Sequence, residues 1–306
     1  MTRRPVPSCP VCSETSSTPW LSASGFELVR CACGHRYSTE VLEAETLSGT
    51  YYNEEEEALA AKGMASKRAR FGEYMSLLNG VHNGAAVLDI GCNTGDLLSL
   101  FKERGFTVYG VEASPGPAAL AAKRLRAPVW QGMVEDVLPA GLEVDVITIT
   151  HVLEHIAQPI ALLEHLRRAL RPGGKLLVEV PNAEDILLSA WGGRYRNLCP
   201  GDHISFFDQR SLAGALERAG FSVQAMEAPG HARDIVFPSL LSAVDALRPR
   251  AAGTGVMQQT RYRGRFRGAL RTVVDVAVAV ADPVVAPMLD FVALRRGAAL
   301  ISVATA

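Results

Sequence analysis

The sequence predicts an α/β fold built on a mostly parallel sheet of seven strands, and three observations carry that reading. Short apolar runs alternate with helix-like stretches from Ala85 onward, the pattern of repeated strand, helix, strand units. The apolar run Val87-Leu-Asp-Ile90 empties into a turn holding Gly91 and Gly95, after which a helix starts at once. The chain has 306 residues, 48% of them hydrophobic and 21% charged, enough to bury a substantial core.

Taken in order, the first 40 residues read as short extended pieces around cysteines. Tyr51 to Asn79 reads as helical, with Ala and Leu among charges and no Pro, before Asn79-Gly80 and Asn83-Gly84 punctuate it. Strands follow at Ala85 to Ile90, Thr107 to Glu112, Pro128 to Gln131, Val144 to Thr150, Lys175 to Val180 and Phe221 to Glu227. Helices lie between them near Asp96 to Glu103, Pro117 to Arg124, Ile160 to Leu170 and Ser211 to Ala219. Arg171-Pro-Gly-Gly closes one helix and opens the next strand. Beyond Pro238 the composition shifts to Ala, Val and Arg, so residues 239–295 read as a mostly helical insertion. Ala298 to Thr305 is then a final strand beside Phe221 to Glu227.

Charge narrows the function classes. With 31 Lys and Arg against 32 Asp and Glu the formal net charge is -1, which supplies no global field for a polyanion, so no nucleic-acid partner is expected. The first ten residues lack the apolar run of a signal peptide, and the expected location is cytoplasmic. Asp275, Asp282, Pro283, Pro287 and Asp290 interrupt the most apolar region, so nothing approaches the roughly 20 uncharged residues that span a bilayer. The Arg261 to Arg271 patch offers charge to anionic lipid or a carrier phosphate, against the default of a solvated helical face; any weak peripheral membrane contact would run through residues 261–295.

The glycine turn is the most informative stretch. Small residues there let a ligand lie against backbone at the carboxyl end of the sheet, where open α/β sheets bind ligands. The spacing Gly91-x-x-x-Gly95 differs from the Gly-x-Gly-x-x-Gly of dinucleotide enzymes. Asp89 would repel a phosphate and suits a cationic or amino-bearing ligand. Glu112, ending the second strand, is placed to accept both hydroxyls of a ribose. Together these features read as a site for S-adenosylmethionine.

Asp89-Ile-Gly-Cys-Asn-Thr-Gly, Glu112, Glu135-Asp136, His151-Val-Leu-Glu-His and Arg171-Pro-Gly-Gly-Lys occur in an order and spacing that resemble the class I S-adenosylmethionine-dependent methyltransferases over Ala85 to Glu227. The resemblance implies a Rossmann-like sheet whose last strand is reversed. It implies that Asp89, Gly91 and Gly95 hold the methionine part, that Glu112 holds the ribose, that the Met133 to Asp136 turn, with Val134 and Glu135, flanks adenine, that His151 borders the donor, and that Cys92 and Ala113 belong to the same cofactor-binding set. Many relatives carry Asp where this chain has Met133, which moves adenine recognition toward the Val134 backbone or Glu135.

Cys9-Pro-Val-Cys12 and Cys31-Ala-Cys33-Gly-His35 form two small ligand-bearing knuckles. Thiolates favour Zn²⁺, and four ligands close its tetrahedron for a structural role. Cys9, Cys12 and Cys31 are joined by Cys33 or by His35, with a lean to Cys33. The domain expectation is therefore a zinc-ribbon-like arm over residues 1–45, a helical lead-in over 46–84 and a methyltransferase domain over 85–306. An arm of this kind ahead of such a domain, with Gly201 to Leu212 and Leu216 to Phe221, resembles a bacterial group linked to sugar, glycan or natural-product modification.

Methyl transfer to a hydroxyl needs alignment and a base. His155, after the fourth strand, is the first candidate and His203 the second. Glu154 with His155 and His203 also forms a fragment of a divalent-cation set, which resembles the ubiquinone-pathway O-methyltransferases. Trp191, Arg194, Tyr195 and Arg196 lie in a long connection suited to an acceptor lid, with an aromatic face for a sugar ring and arginines for phosphate or carboxylate. The leading expectation is O- or C-methylation of a small-molecule, sugar or glycan acceptor. One rival is an RNA acceptor, because Cys9, Cys12, Cys31 and His35 also resemble the zinc site of a ribosomal guanine methyltransferase; another is a non-enzymatic zinc-ribbon interaction module.

Overall fold

The computed structural model describes residues 2–43, 64–195, 198–229 and 298–306. The first part of the expected Tyr51 helix, Arg196 and the whole of the expected insertion, with its Arg261 to Arg271 patch, lie outside the described residues. The chain divides into two units, the first made of Met1–Glu43, Val180–Leu212 and Glu227–Leu300, the second of Ala44–Glu179, Ala213–Met226 and Ile301–Ala306.

In the first unit β1 (Arg3–Pro5) pairs antiparallel with β5 (Glu40–Leu42). A separate four-stranded sheet contains β2 (Ser17–Ala23), β3 (Phe26–Cys31), β4 (Arg36–Ser38) and β11 (Ser205–Phe206), in the order β11-β4-β3-β2. Strand β3 buries Phe26, Leu28, Val29 and Cys31 and exposes Glu27 and Arg30, so the alternation that starts at Phe26 breaks at Val29. Leu28 and Ala23 pack with Leu187, Leu188, Tyr195 and Phe206 in one apolar cluster. The amino-terminal strands thus share both a sheet and a core with residues from 183 to 206.

The second unit centres on the seven-stranded sheet, ordered β12-β13-β10-β9-β6-β7-β8. Its members are β6 (Ala86–Ile90), β7 (Thr107–Glu112), β8 (Val129–Gln131), β9 (Val144–Thr150), β10 (Leu170–Pro181), β12 (Ser222–Glu227) and β13 (Ala299–Thr305). The pairs β6–β7, β6–β9, β7–β8 and β9–β10 are parallel, and the last strand is reversed. Val87, Leu88, Val146, Ile147, Ile149 and Leu177 are all fully buried, the mark of strands covered on both faces. Phe101 meets Phe71 edge-on at 4.9 Å and Phe106 at 5.4 Å, binding the helix α1 (Met64–Leu77) and the helix α2 (Asp96–Glu103) into the same core.

The expected strand and helix order is found, and the boundaries move for local reasons. Helix α3 runs Pro115–Leu125 and starts before Pro117, because Pro115 fits the first turn, where its missing N–H costs nothing. Strand β10 begins at Leu170, opposite Val144, with a register break before Lys175; the Pro-Gly-Gly turn sits within the strand, and the preceding helix stops at Arg167.

Candidate functional site

Gly91 and Gly95 have φ 71° and 76°, the left-handed region that costs an L side chain roughly 1–2 kcal/mol. The Gly91 and Cys92 N–H groups both donate to the Val111 carbonyl, at 2.8 and 3.0 Å, tying the turn to the end of β7. A Cβ on Gly91 would overlap Val152 Cγ2. The missing side chain therefore lets the segment after β9 pack directly on the turn.

Two carboxylates flank this turn. Asp89 is 2% exposed and accepts a 2.6 Å hydrogen bond from Thr148 Oγ1. Burial, reinforced by Glu112 and opposed by the Thr148 hydroxyl, pushes its carboxyl up to about 7. Glu112 accepts from the Asn93 N–H at 2.9 Å and from the Ser114 N–H at 2.8 Å, so backbone donors on both sides hold it across the turn. Burial, with Asp89 and Glu112 nearby, also pushes the Cys92 thiol up, so it stays a neutral packing group. The Gly132 N–H donates to the Glu112 carbonyl at 3.0 Å, which sets Met133, Val134 and Glu135 beside Glu112. Val134 is buried, Ala113 and Glu135 are exposed, and Met133, 51% exposed, is an exposed large apolar side chain among the described residues.

His151 completes the set at the carboxyl ends of β6 to β9. Its φ is 55°, its N–H donates to the Glu179 carbonyl at 2.9 Å, and its ring lies 3.5 Å from Glu154 Oε1 and 3.4 Å from Glu179 Oε1. Desolvation opposes a charge there, but the two carboxylates outweigh it and hold the imidazole up at about 10. Glu154 and Glu179 are 1% and 3% exposed. Burial works against a charge on Glu179 too, yet His151 and Arg70 hold its carboxyl below the usual range.

Sequence reasoning missed Arg70 and Tyr74. The Tyr74 hydroxyl donates to Glu179, and Arg70 Nε lies 3.7 Å from it. Burial raises the Tyr74 phenol, with Glu179 and, more weakly, Asp89 adding to the shift. The Arg-x-x-x-Tyr spacing puts both on one helix face, a pattern also compatible with a solvated face.

The candidate bases differ in setting. His155 lies in the short helix Leu153–His155, 28% of its side chain exposed, 3.9 Å from Glu154 Oε1. His203 belongs to the first unit, is 8% exposed, donates its N–H to the Cys199 carbonyl at 2.8 Å and stands 6.2 Å from the Phe206 ring. Of the expected acceptor-loop residues, Arg194 is exposed and Trp191 half-buried. Tyr195 departs from expectation, being buried with its hydroxyl donating to Asp185, so its ring offers no open face to a sugar.

In the first unit the ligand atoms of Cys9, Cys12, Cys31 and Cys33 lie within 4.8 Å of one another. The Cys9–Cys33 and Cys12–Cys31 sulfur separations are 3.7 and 3.5 Å, far beyond a disulfide's length of about 2.05 Å. Four Zn–S bonds of about 2.3 Å set tetrahedral sulfurs about 3.8 Å apart, so the quartet fits Zn²⁺. Burial pushes the Cys9 thiol up, and a cation's charge would reverse that shift. His35 turns away from the quartet. It is fully buried, its Nε2 is 3.2 Å from Ser205 Oγ, its Nδ1 has no hydrogen-bond partner, and burial lowers its pKa to about 3.

A family model described as a methyltransferase domain matches residues 57–226, more than half of the chain. The chain belongs to this methyltransferase family. Among curated proteins it is similar to the ubiquinone biosynthesis O-methyltransferase of Pseudomonas entomophila, at 30% identity over 46% of this chain and 66% of that one. It is also similar to that of Azorhizobium caulinodans, at 28% over 47% and 61%. The chain thus spans 61 to 66% of the length of these two relatives. Two solved structures share the methyltransferase fold at TM-score 0.50. One is a chain from the complex between the Haloferax volcanii Trm112 methyltransferase activator and a methyltransferase, 18% identical over 83% of this chain and 99% of that one. The other is a SAM-dependent methyltransferase from Archaeoglobus fulgidus, 17% identical over 79% and 94%.

Proposed function

We propose that the protein transfers a methyl group from S-adenosylmethionine to oxygen or carbon of a small-molecule acceptor, sugar and glycan acceptors included. The observation that carries this reading is the pair Asp89 and Glu112 around the Gly91 turn, in a methyltransferase family domain. The donor supplies, when bound, an electrophilic methyl group on a sulfonium. Asp89 supplies negative charge toward the amino acid part, and Glu112, fixed by two backbone donors, accepts from the ribose hydroxyls. Met133 offers an apolar thioether to the adenine, and the network from Arg70 to His151 stiffens the wall beside Asp89. The names of the curated relatives favour an oxygen acceptor. Titration calorimetry with S-adenosylhomocysteine tests donor binding, and transfer of a labelled methyl group to phenolic and sugar-nucleotide panels tests the acceptor class. Absence of S-adenosylhomocysteine binding overturns the reading.

His155 is the residue assigned to take the acceptor proton. Replacing it by alanine should lower turnover about 100-fold or more, the usual span of general-base loss, while the donor dissociation constant stays close to wild type. Equal loss of both would make His155 a binding residue.

Asp89 predicts a pH dependence. Its carboxyl ionises near 7 in the free site, and a cationic donor favours the ionised form, so binding below that pH releases a proton. Donor affinity should climb with pH by up to about tenfold per unit below 7 and level off above it. The Asp89→Asn variant should lose this slope. Among the groups around Asp89, the Cys92 thiol and the Tyr74 phenol are pushed up and the Thr148 hydroxyl does not titrate, so a slope that survives Asp89→Asn would overturn its assignment to Asp89.

The cysteine quartet is assigned to one structural Zn²⁺, four-coordinate and closed to substrate. Elemental analysis of protein purified under reducing conditions should find about one zinc per chain.

A further inference from the structure

The segment between Glu184 and Asp208 is held at both ends by one side chain. Arg36, 9% exposed, pairs with Asp208 at 2.6 Å and lies 3.8 Å from Glu184, its guanidinium 5.2 Å from the Trp20 ring centroid. Asp208 in turn accepts from the Ser211 N–H at 2.7 Å while its own N–H donates to Ser211 Oγ at 3.0 Å, a reciprocal cap on the helix Gln209–Arg218. Next to Arg36, His35 reaches Ser205, and the Ser38 and Leu42 N–H groups donate to the Ile204 and Gly201 carbonyls at 2.9 and 2.8 Å.

All of these anchors hang from the second cysteine knuckle. Cys33 is followed by Gly34, His35 and Arg36, and the Cys31 N–H donates to the His35 carbonyl at 2.9 Å. The buried His35 ring is held by its Nε2 contact with Ser205 Oγ and by packing against Tyr37 and Phe207, at 6.4 and 4.9 Å. Ordering of the knuckle sets where β4 begins, and β4 sets the register of β11, Ser205 opposite Tyr37 and Phe206 opposite Arg36.

We propose that the cysteine quartet and Arg36 form a metal-dependent brace for residues 184–208, so that metal or thiol state governs the order of this segment while the donor site in the second unit is untouched. The proposal rests on the zinc assignment above, and because that segment carries the expected acceptor contacts, it makes acceptor use conditional on an ion held by the amino-terminal cysteines. Loss of the ion frees the thiols and leaves Arg36 as a buried charge on a loosened strand, which favours opening of the segment.

The test is limited chymotrypsin digestion read by mass spectrometry on the full chain. Wild type as purified, wild type stripped with a zinc chelator, Arg36→Met and Arg36→Lys are compared. Leu187, Leu188, Tyr195 and Leu198 are 5 to 8% exposed and mark the segment. Where cleavage follows the open population, stripping and Arg36→Met should each speed cuts at these sites by about tenfold or more, with Arg36→Lys in between. S-adenosylhomocysteine affinity by calorimetry should stay within about twofold of wild type in all cases. Protein that carries zinc but shows unchanged cleavage after stripping overturns the brace. Equal acceleration of cuts across residues 85–179 with loss of donor affinity also overturns it, since that is global unfolding. Absence of zinc in the purified protein instead overturns the metal assignment itself.

Discussion

Replacing Glu112 by alanine is expected to weaken S-adenosylhomocysteine binding by about 10- to 100-fold, the equivalent of losing one charge-assisted hydrogen bond of roughly 1.5–3 kcal/mol. The loss has two sources. In the proposed donor site the ribose hydroxyls lose their acceptor, and the Asn93 and Ser114 N–H groups lose the carboxylate that accepts from them. Glu112→Gln separates these, because an amide oxygen still accepts from one of the two N–H groups but brings no charge. Calorimetry on both variants should rank them wild type, Gln, Ala. An Ala variant that binds like wild type removes Glu112 from the donor site.

Gly91→Ala should produce the largest loss of stability. The left-handed φ of 71° costs roughly 1–2 kcal/mol for an L side chain. Overlap of the new Cβ with Val152 Cγ2 adds the overpacking cost of about 1–3 kcal/mol. Urea unfolding should therefore show a drop of about 2–5 kcal/mol, if the two costs add, together with weakened donor binding. Val152→Ala in the same chain should recover the packing part and leave the backbone part. If the double variant is no more stable than Gly91→Ala, the contact between the turn and the segment after β9 does not carry the strain assigned to it.

The sequence was most readable where physical pattern and local chain coincide. Strands β7 (Thr107–Glu112) and β9 (Val144–Thr150) run over the residues read as strands, because both are short β-branched runs between turn or helix signals. The glycine turn could be read because Gly91 and Gly95 answer to local backbone geometry. Strand β11 could not. Ser205 and Phe206 make too short a run to register as a strand, and their partner Tyr37 lies far away in the chain. Tyr195 illustrates the same limit. An aromatic residue among arginines reads as a recognition surface, whereas burial beside Asp185 is a tertiary fact. Arg70 and Tyr74 escaped because their partner, Glu179, sits at the far end of another element. Which of Cys33 and His35 joins the other three cysteines in space is likewise a tertiary matter, since His35 lies against Ser205 far along the chain.

The pairing of β4 with β11 also orders events during synthesis. His35 and Ser205 are separated by 170 positions, so at a ribosome speed of about 5–20 residues per second the nascent chain waits roughly 10–30 s for the partner of β4. The two knuckles need no such delay, since every ligand has emerged by Cys33. On the zinc assignment proposed above, capture of the ion by the first few dozen residues can therefore precede synthesis of β11, leaving a preformed template on which β11 docks as it leaves the tunnel.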